Sequence, residues 1–201
     1  MTTVNKTDRK TVKRLVKILE SDHKNLPLSD AALSEIKNNL MKEYSVEIVD
    51  AAIYTFTHAI FYKNSIVKNT HKHSITGEKT QLISPEEKKE IKEELDFIKN
   101  EAYKIVKQLR KEKIKTPLSS KAIFELQRRL IVVDGFKPKI AKKAIYSFTN
   151  SISYQASILK DSNTHFFDLD GNVSQEMITD AHIETAKRKY SHFNSIHNPR
   201  K

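Results

Sequence analysis

Two stretches of this chain repeat one another at long range, and that limits the folds open to it more than any other feature. Residues 27–40, PLSDAALSEIKNNL, align with 117–130, PLSSKAIFELQRRL, at an offset of 90. Ala52–Tyr62, AIYTFTHAIFY, aligns with Ala144–Tyr154, AIYSFTNSISY, at an offset of 92, and seven of the eleven positions are identical. Two extra residues near Asp134-Gly135 account for the change of offset. Upstream, Leu15, Val16 and Leu19 match Ile105, Val106 and Leu109; downstream, Thr76-Gly77 matches Asp170-Gly171. Such a period is too long for one solenoid unit and long enough for a small domain with its own core. The expected organisation is two tandem copies, residues 1–97 and 98–201.

Each copy reads as the same series of elements. A first helix covers about 9–20 and 99–112. A second follows a Pro-Leu-Ser turn, with Ser29 or Ser119 as N-cap. A third is expected over 46–67 and 138–159, with Pro138 in its first turn, where a missing N–H costs nothing. A short hairpin then turns at Thr76-Gly77 and at Asp170-Gly171. The last helix opens at Ser84-Pro85-Glu86-Glu87 in copy one and at Thr179 in copy two. From Pro85 to Lys115 there is no glycine or proline, and Ile91, Leu95, Ile98, Ala102, Ile105 and Leu109 recur at helical spacing. One long helix is therefore expected to run from copy one into copy two and to fix the two domains relative to each other. The fold class is mainly α with a short β-hairpin per repeat, an α+β arrangement.

Charge adds direction to this plan. The 201 residues carry 36 Lys and Arg against 25 Asp and Glu. Residues 1–97 hold 16 basic and 15 acidic side chains, and residues 98–201 hold 20 and 10, so the excess sits in the second copy. An asymmetry of this kind points to a polyanionic partner gripped by one half. Cysteine is absent, which excludes disulfides and thiolate sites and suits a reducing cytoplasm. No apolar run approaches the roughly 18 residues of a membrane span, so neither signal peptide nor membrane partner is expected.

The third helix carries the chemistry. At 100° per residue, Ala141, Ile145, Phe148 and Ile152 share one face, as do Val49, Ile53, Phe56 and Ile60; these read as core. The opposite face in copy two presents Lys139, Lys143, Tyr146, Asn150 and Tyr154. Lysines neutralise phosphates, tyrosines stack on bases and an amide reads base edges, so this is a candidate nucleic-acid face. The bland alternative is a solvated face whose tyrosines cover apolar neighbours. Copy one has Glu47, Ala51, Tyr54, His58 and Tyr62 at the matching places. It keeps both tyrosines and loses both lysines, which makes copy two the electrostatic anchor and copy one a secondary surface, with Lys63 nearby.

Copy two from Lys142 to Tyr190 also resembles the ProQ/FinO family of bacterial RNA chaperones. The resemblance is carried by Ala144-Ile145 through Tyr154, by Phe167-Asp168-Leu169-Asp170-Gly171-Asn172, and by Ile178-Thr179-Asp180-Ala181-His182-Ile183-Glu184 with Ala186-Lys187-Arg188. Pro117-Leu118 followed by Ile123-Phe124-Glu125-Leu126 is similar to the family's pattern as well. The resemblance implies a helical fold with a small hairpin and a basic face that grips structured RNA, especially a terminator hairpin and its single-stranded 3′ U tail. It implies stabilisation of small RNAs and promotion of RNA pairing. By position, Tyr154 and Tyr62 match the family's RNA-contacting tyrosine, Lys142 its basic residue on the same helix, and Lys72 its hairpin arginine. The chain departs from the family at Ser153 and Phe61, at Tyr146 and Tyr54, at Phe166 (with His165 adjacent) and at Asp50, where the family has basic residues.

Other constellations carry less. Placing Gly171 at position six of a calcium loop puts Phe166 at position one and Met177 at position twelve, so coordination fails. His71-Lys72-His73 reads as an exposed basic loop without a third metal ligand. No nucleophile elbow accompanies any Ser, His and Asp, so no catalysis, metal or cofactor is expected. Arg128 and Arg129 on the second helix count among the basic contacts. In a rival reading that helix enters a DNA major groove, and in another copy one is a protein scaffold.

Overall fold

The computed structural model describes residues 6–23 and 25–197 and divides into two compact units, with the boundary between Asp96 and Phe97. In the first, helix α1 (Lys6–Asp22) places Val12, Leu15, Val16 and Leu19 on one stripe. Leu15 and Val16 pack against Ala52 of α3 (Val46–Thr57), with Tyr44 and Ile48 alongside. Between them in the chain comes α2 (Asp30–Leu40), which starts where it does because Ser29 Oγ accepts the Ala32 N–H at 3.2 Å. Helix α4 (Ile60–Lys68) leads into an antiparallel hairpin of β1 (His71–His73) and β2 (Lys79–Leu82). Gly77 at φ +87° makes the turn, a conformation that side chains with a Cβ resist. Leu28, Phe56, Tyr62, Ile66 and Ile83 form the centre of this unit's core.

Helix α5 (Pro85–Lys111) is continuous over 27 residues, as the unbroken helical spacing predicts. Ser84 Oγ accepts the Glu87 N–H at 3.0 Å and caps its start. Glu86 and Glu87 lie in its first turn and Arg110 and Lys111 in its last, each favourable to the helix dipole. Its partly buried Ile91 packs into the core of the first unit, and Ile98, Ala102, Ile105, Val106 and Leu109 are buried in the second.

The second unit continues with α6 (Ser120–Val132), α7 (Pro138–Thr149), α8 (Ile152–Ile158), the hairpin β3 (His165–Phe167) and β4 (Val173–Met177), and α9 (Asp180–His197). Leu118, Leu126 and Leu130 are at most 1% exposed, each stabilising the fold by roughly 1.5–3 kcal/mol. The same backbone stitch occurs in both units. His73 N–H donates to Pro27 O and Ser29 N–H to His73 O, at 2.8 and 2.9 Å. Phe167 N–H donates to Pro117 O and Ser119 N–H to Phe167 O, at the same two distances. These bonds use one side of the 27–29 and 117–119 segments and leave the Leu28 and Leu118 amides facing inward.

The structure corrects the third helix. Instead of one helix over 46–67 and one over 138–159, each is broken, at His58-Ala59 and at Asn150-Ser151. Ala59 and Ser151 are extended, with ψ of 147° and 153°. Side chains compete for the carbonyls that would continue the helix. Thr57 and Thr149 hydroxyls donate back to Ile53 O and Ile145 O at 2.9 and 3.0 Å. His58 Nδ1 and Asn150 Nδ2 donate to Tyr54 O and Tyr146 O at 2.9 and 2.8 Å. Ser151 then caps α8 by accepting the Tyr154 N–H at 3.4 Å. One extended residue resets the phase of everything beyond it. Ile152, expected in the core, is 36% exposed, and Ile60 is only half-buried; Ile53, ahead of the break, is half-buried as well.

Candidate nucleic-acid interface

On α7, Lys139, Lys142, Lys143 and Tyr146 follow one another at steps of three, one and three residues, which keeps them on one outward face. Ile140, Ala141, Ala144, Ile145 and Phe148 occupy the other face and are buried. Lys139 and Lys142 are exposed. Tyr146 is 63% exposed, an aromatic platform open to solvent, and Lys143 lies over its ring with Nζ 5.7 Å from the centroid. No acidic residue occurs on α7. The matching face of α3 carries Glu47, Asp50, Ala51 and Tyr54. Asp50 pairs with Lys37 at 2.6 Å. Glu47 is held below the usual glutamate range by its own backbone N–H and by the Ser45 hydroxyl. The two helices thus share a backbone plan and an exposed tyrosine but carry opposite charge.

Tyr154 and Tyr62 do not belong to that face. Each is 5% exposed. The Tyr154 hydroxyl accepts the Leu118 N–H at 2.9 Å and donates to Leu118 O at 3.1 Å. The Tyr62 hydroxyl does the same with Leu28, at 3.0 and 3.1 Å. Burial pushes both phenols up to about 12, partly offset by these bonds. Their rings sit against Phe148 and Phe56, with centroids 5.8 and 5.0 Å apart. The break after α3 and α7 is the cause: it swings these tyrosines inward, where each satisfies a buried backbone pair that has no other partner. In this structure they brace the fold, with ring and hydroxyl turned away from solvent.

The remaining expected contacts separate into exposed and committed groups. Asn150 is half-buried and gives one amide N–H to Tyr146 O, so it helps terminate α7. Arg128 is exposed. Arg129 is bonded to Glu112 at 2.7 Å, with Asp134 3.9 Å away, so its charge is balanced within its own unit. His165 is half-buried with Nδ1 2.9 Å from the Thr164 hydroxyl. In the first unit Tyr54 is 64% exposed and stacks on His58 with centroids 3.9 Å apart. Lys63 is paired with Glu94, and Lys72 with Glu87 at 3.0 Å; both lysine side chains are only 13% exposed. They lock α4 and β1 to α5. The expected basic loop at 71–73 is in fact β1, with His73 buried.

Sequence reasoning missed what replaces those two ion pairs in the second unit. Phe166 and His182 meet edge to face at 5.1 Å, and a cavity of about 250 Å³ remains beside them, lined in part by Gln155, Glu176 and Lys189. His182 Nδ1 accepts the Thr179 N–H at 3.1 Å and caps α9, a role that a Thr-x-x-His spacing announces only weakly. The Asp168-Leu169-Asp170-Gly171-Asn172 block is a turn brace. Asp168 accepts the Asn172 N–H at 2.8 Å, which, with lesser bonds, holds its carboxyl below the usual aspartate range. Among the described residues no cluster of His, Asp and Glu could hold a metal ion, and no helix is long and apolar enough to cross a membrane. The chain matches no family model, no curated protein and no solved structure.

Proposed function

We propose that the protein is a non-catalytic RNA-binding protein, an RNA chaperone of the ProQ/FinO kind, that works in the cytoplasm and holds structured RNA on α7 of its second unit. The observation that carries the reading is the row Lys139, Lys142, Lys143 and Tyr146 on a helix without acids. Three lysines within five residues neutralise successive phosphates, and the exposed phenol ring offers a stacking surface to an unpaired base. The charge excess of residues 98–201 supports the same assignment. The resemblance of residues 142–190 to the family narrows the ligand to hairpins ending in a single-stranded 3′ U tail. It extends the role to stabilising small RNAs and promoting their pairing. The buried Tyr154 narrows the face to α7 itself, so Tyr146 takes the stacking role on this reading.

Binding of the full chain to a terminator-type hairpin, with and without its U tail and across a salt series, tests the proposal. Tight, salt-sensitive binding that weakens on removal of the tail and on Tyr146→Ala supports it. Equal binding of tailed and blunt hairpins removes the 3′-end specificity. Stronger binding to duplex DNA at the same salt removes the RNA assignment.

A further inference from the structure

Helix α1 of the first unit carries a second cationic face that the near-neutral charge of residues 1–97 conceals. Arg9, Lys10, Lys13, Arg14 and Lys17 are all exposed. Arg14 Nη2 donates to the Tyr44 hydroxyl at 2.7 Å. Arg9, Lys13 and Lys17 stand four residues apart in sequence, so their Cα atoms rise by about 6 Å at each step. Lys10 and Arg14 form a parallel pair beside them.

This arrangement works against the helix that bears it. Like charges four residues apart destabilise a helix, and Arg9-Lys13, Lys13-Lys17 and Lys10-Arg14 are three such pairs. Arg9 also sits in the first turn, where the dipole disfavours a cation. A dense polyanion would relieve the repulsion on binding. The second unit keeps cations at three equivalent places on α5, Lys99, Lys104 and Lys107, all exposed, although its other surfaces differ from those of the first.

We infer that the outward face of α1 is a second RNA-backbone site, which grips phosphates without reading bases. An anionic membrane is the poorer fit. An interfacial helix must offer an apolar face to lipid, and the α1 apolar stripe of Leu15, Val16 and Leu19 is buried in the core. Ile18, at 46% exposure, is the one large apolar side chain left outside. The one aromatic beside the row, Tyr44, is half-buried and bonded to Arg14, so the face presents cations and no open ring, which points to duplex RNA, whose bases are already stacked, over single strands. The inference extends the RNA reading proposed above but rests on different residues. With α7 it gives the chain two places to hold RNA, which is what bringing two strands together requires.

The test uses the full chain and a blunt RNA duplex of about 20 base pairs, long enough to cover a site of this length. Arg9→Gln/Lys13→Gln/Lys17→Gln removes the row; Lys142→Gln/Lys143→Gln serves as the α7 comparison. The α1 variant is expected to bind duplex RNA at least about tenfold more weakly near 0.1 M salt, with a salt slope smaller by about 2–3, while its helical content stays that of the parent. Duplex affinity and slope equal to the parent overturn the inference, whatever the α7 variant does. Binding of the parent to phosphatidylserine vesicles or to a poly-glutamate peptide but not to duplex RNA overturns it as well. Loss of duplex binding in the α1 variant alone, with hairpin binding untouched in the α7 variant, upholds this site and refutes the α7 proposal.

Discussion

Replacing Tyr154 by phenylalanine removes a single oxygen, and the structure says what that oxygen does. It is the partner of both Leu118 backbone groups, at 2.9 and 3.1 Å, in a place where Leu118 is 1% exposed. The flanking residues cannot substitute, because Pro117 O and the Ser119 N–H are already bonded to Phe167. A buried polar group left without a partner costs about 1–3 kcal/mol. Two groups are orphaned, and the variant in turn no longer desolvates a phenol. The expected net loss is about 2–3 kcal/mol, which corresponds to about a 30- to 150-fold change in an equilibrium constant. Urea unfolding of the full chain, monitored together with hydrogen exchange at the Leu118 amide, reads both consequences. Protection of that amide should fall by the same factor, while RNA affinity of the folded protein stays within about twofold, since phenylalanine keeps the ring. A stability change under about 0.5 kcal/mol with unchanged Leu118 protection would refute the reasoning.

Alkali should reveal the burial of this phenol and of its counterpart Tyr62. Both buried phenols are raised from 10.0 to about 12, so the stability they contribute is whole below pH 10, falls as pH rises and is gone above about 12. At 1.36 kcal/mol per unit that is about 3 kcal/mol for each tyrosine. A pH series of urea midpoints checks this, and Tyr62→Phe should abolish about half of the slope. Ser119→Ala removes the cap of α6 and should cost about 1 kcal/mol in the same assay. The Asp168 carboxylate should release the Asn172 amide only as pH falls below the ordinary aspartate value. An amide chemical shift of Asn172 that moves instead near neutral pH would contradict the turn brace.

Most of the helical plan was legible because its signals are local. Ser29, Ser84 and Ser119 accept the expected amides, Pro138 begins α7, and the stretch without Gly or Pro after Ser84 is one helix. The break before α4 and α8 was not read, although Thr149, Asn150 and Ser151 are three residues in a row that prefer to bond backbone over continuing a helix. Periodicity carried across that break put Tyr154 on the wrong face: a single extended residue is invisible to a 100° count and decisive for what lies beyond it. Lys63 and Lys72 looked available because their partners, Glu94 and Glu87, are 31 and 15 residues further along the chain, on another helix. The α1 face was missed for a different reason. Six of the 16 basic residues before position 98 lie in that helix, and a sum over the whole copy balances them against acids elsewhere.

The reading of α7 as the RNA-holding face is tested most directly by ultraviolet crosslinking of the purified chain to a 3′-tailed hairpin, with the modified peptides identified by mass spectrometry. Nucleotide adducts within residues 138–149, centred on Tyr146, are the predicted result. Efficient crosslinking with every adduct outside that helix would contradict the account.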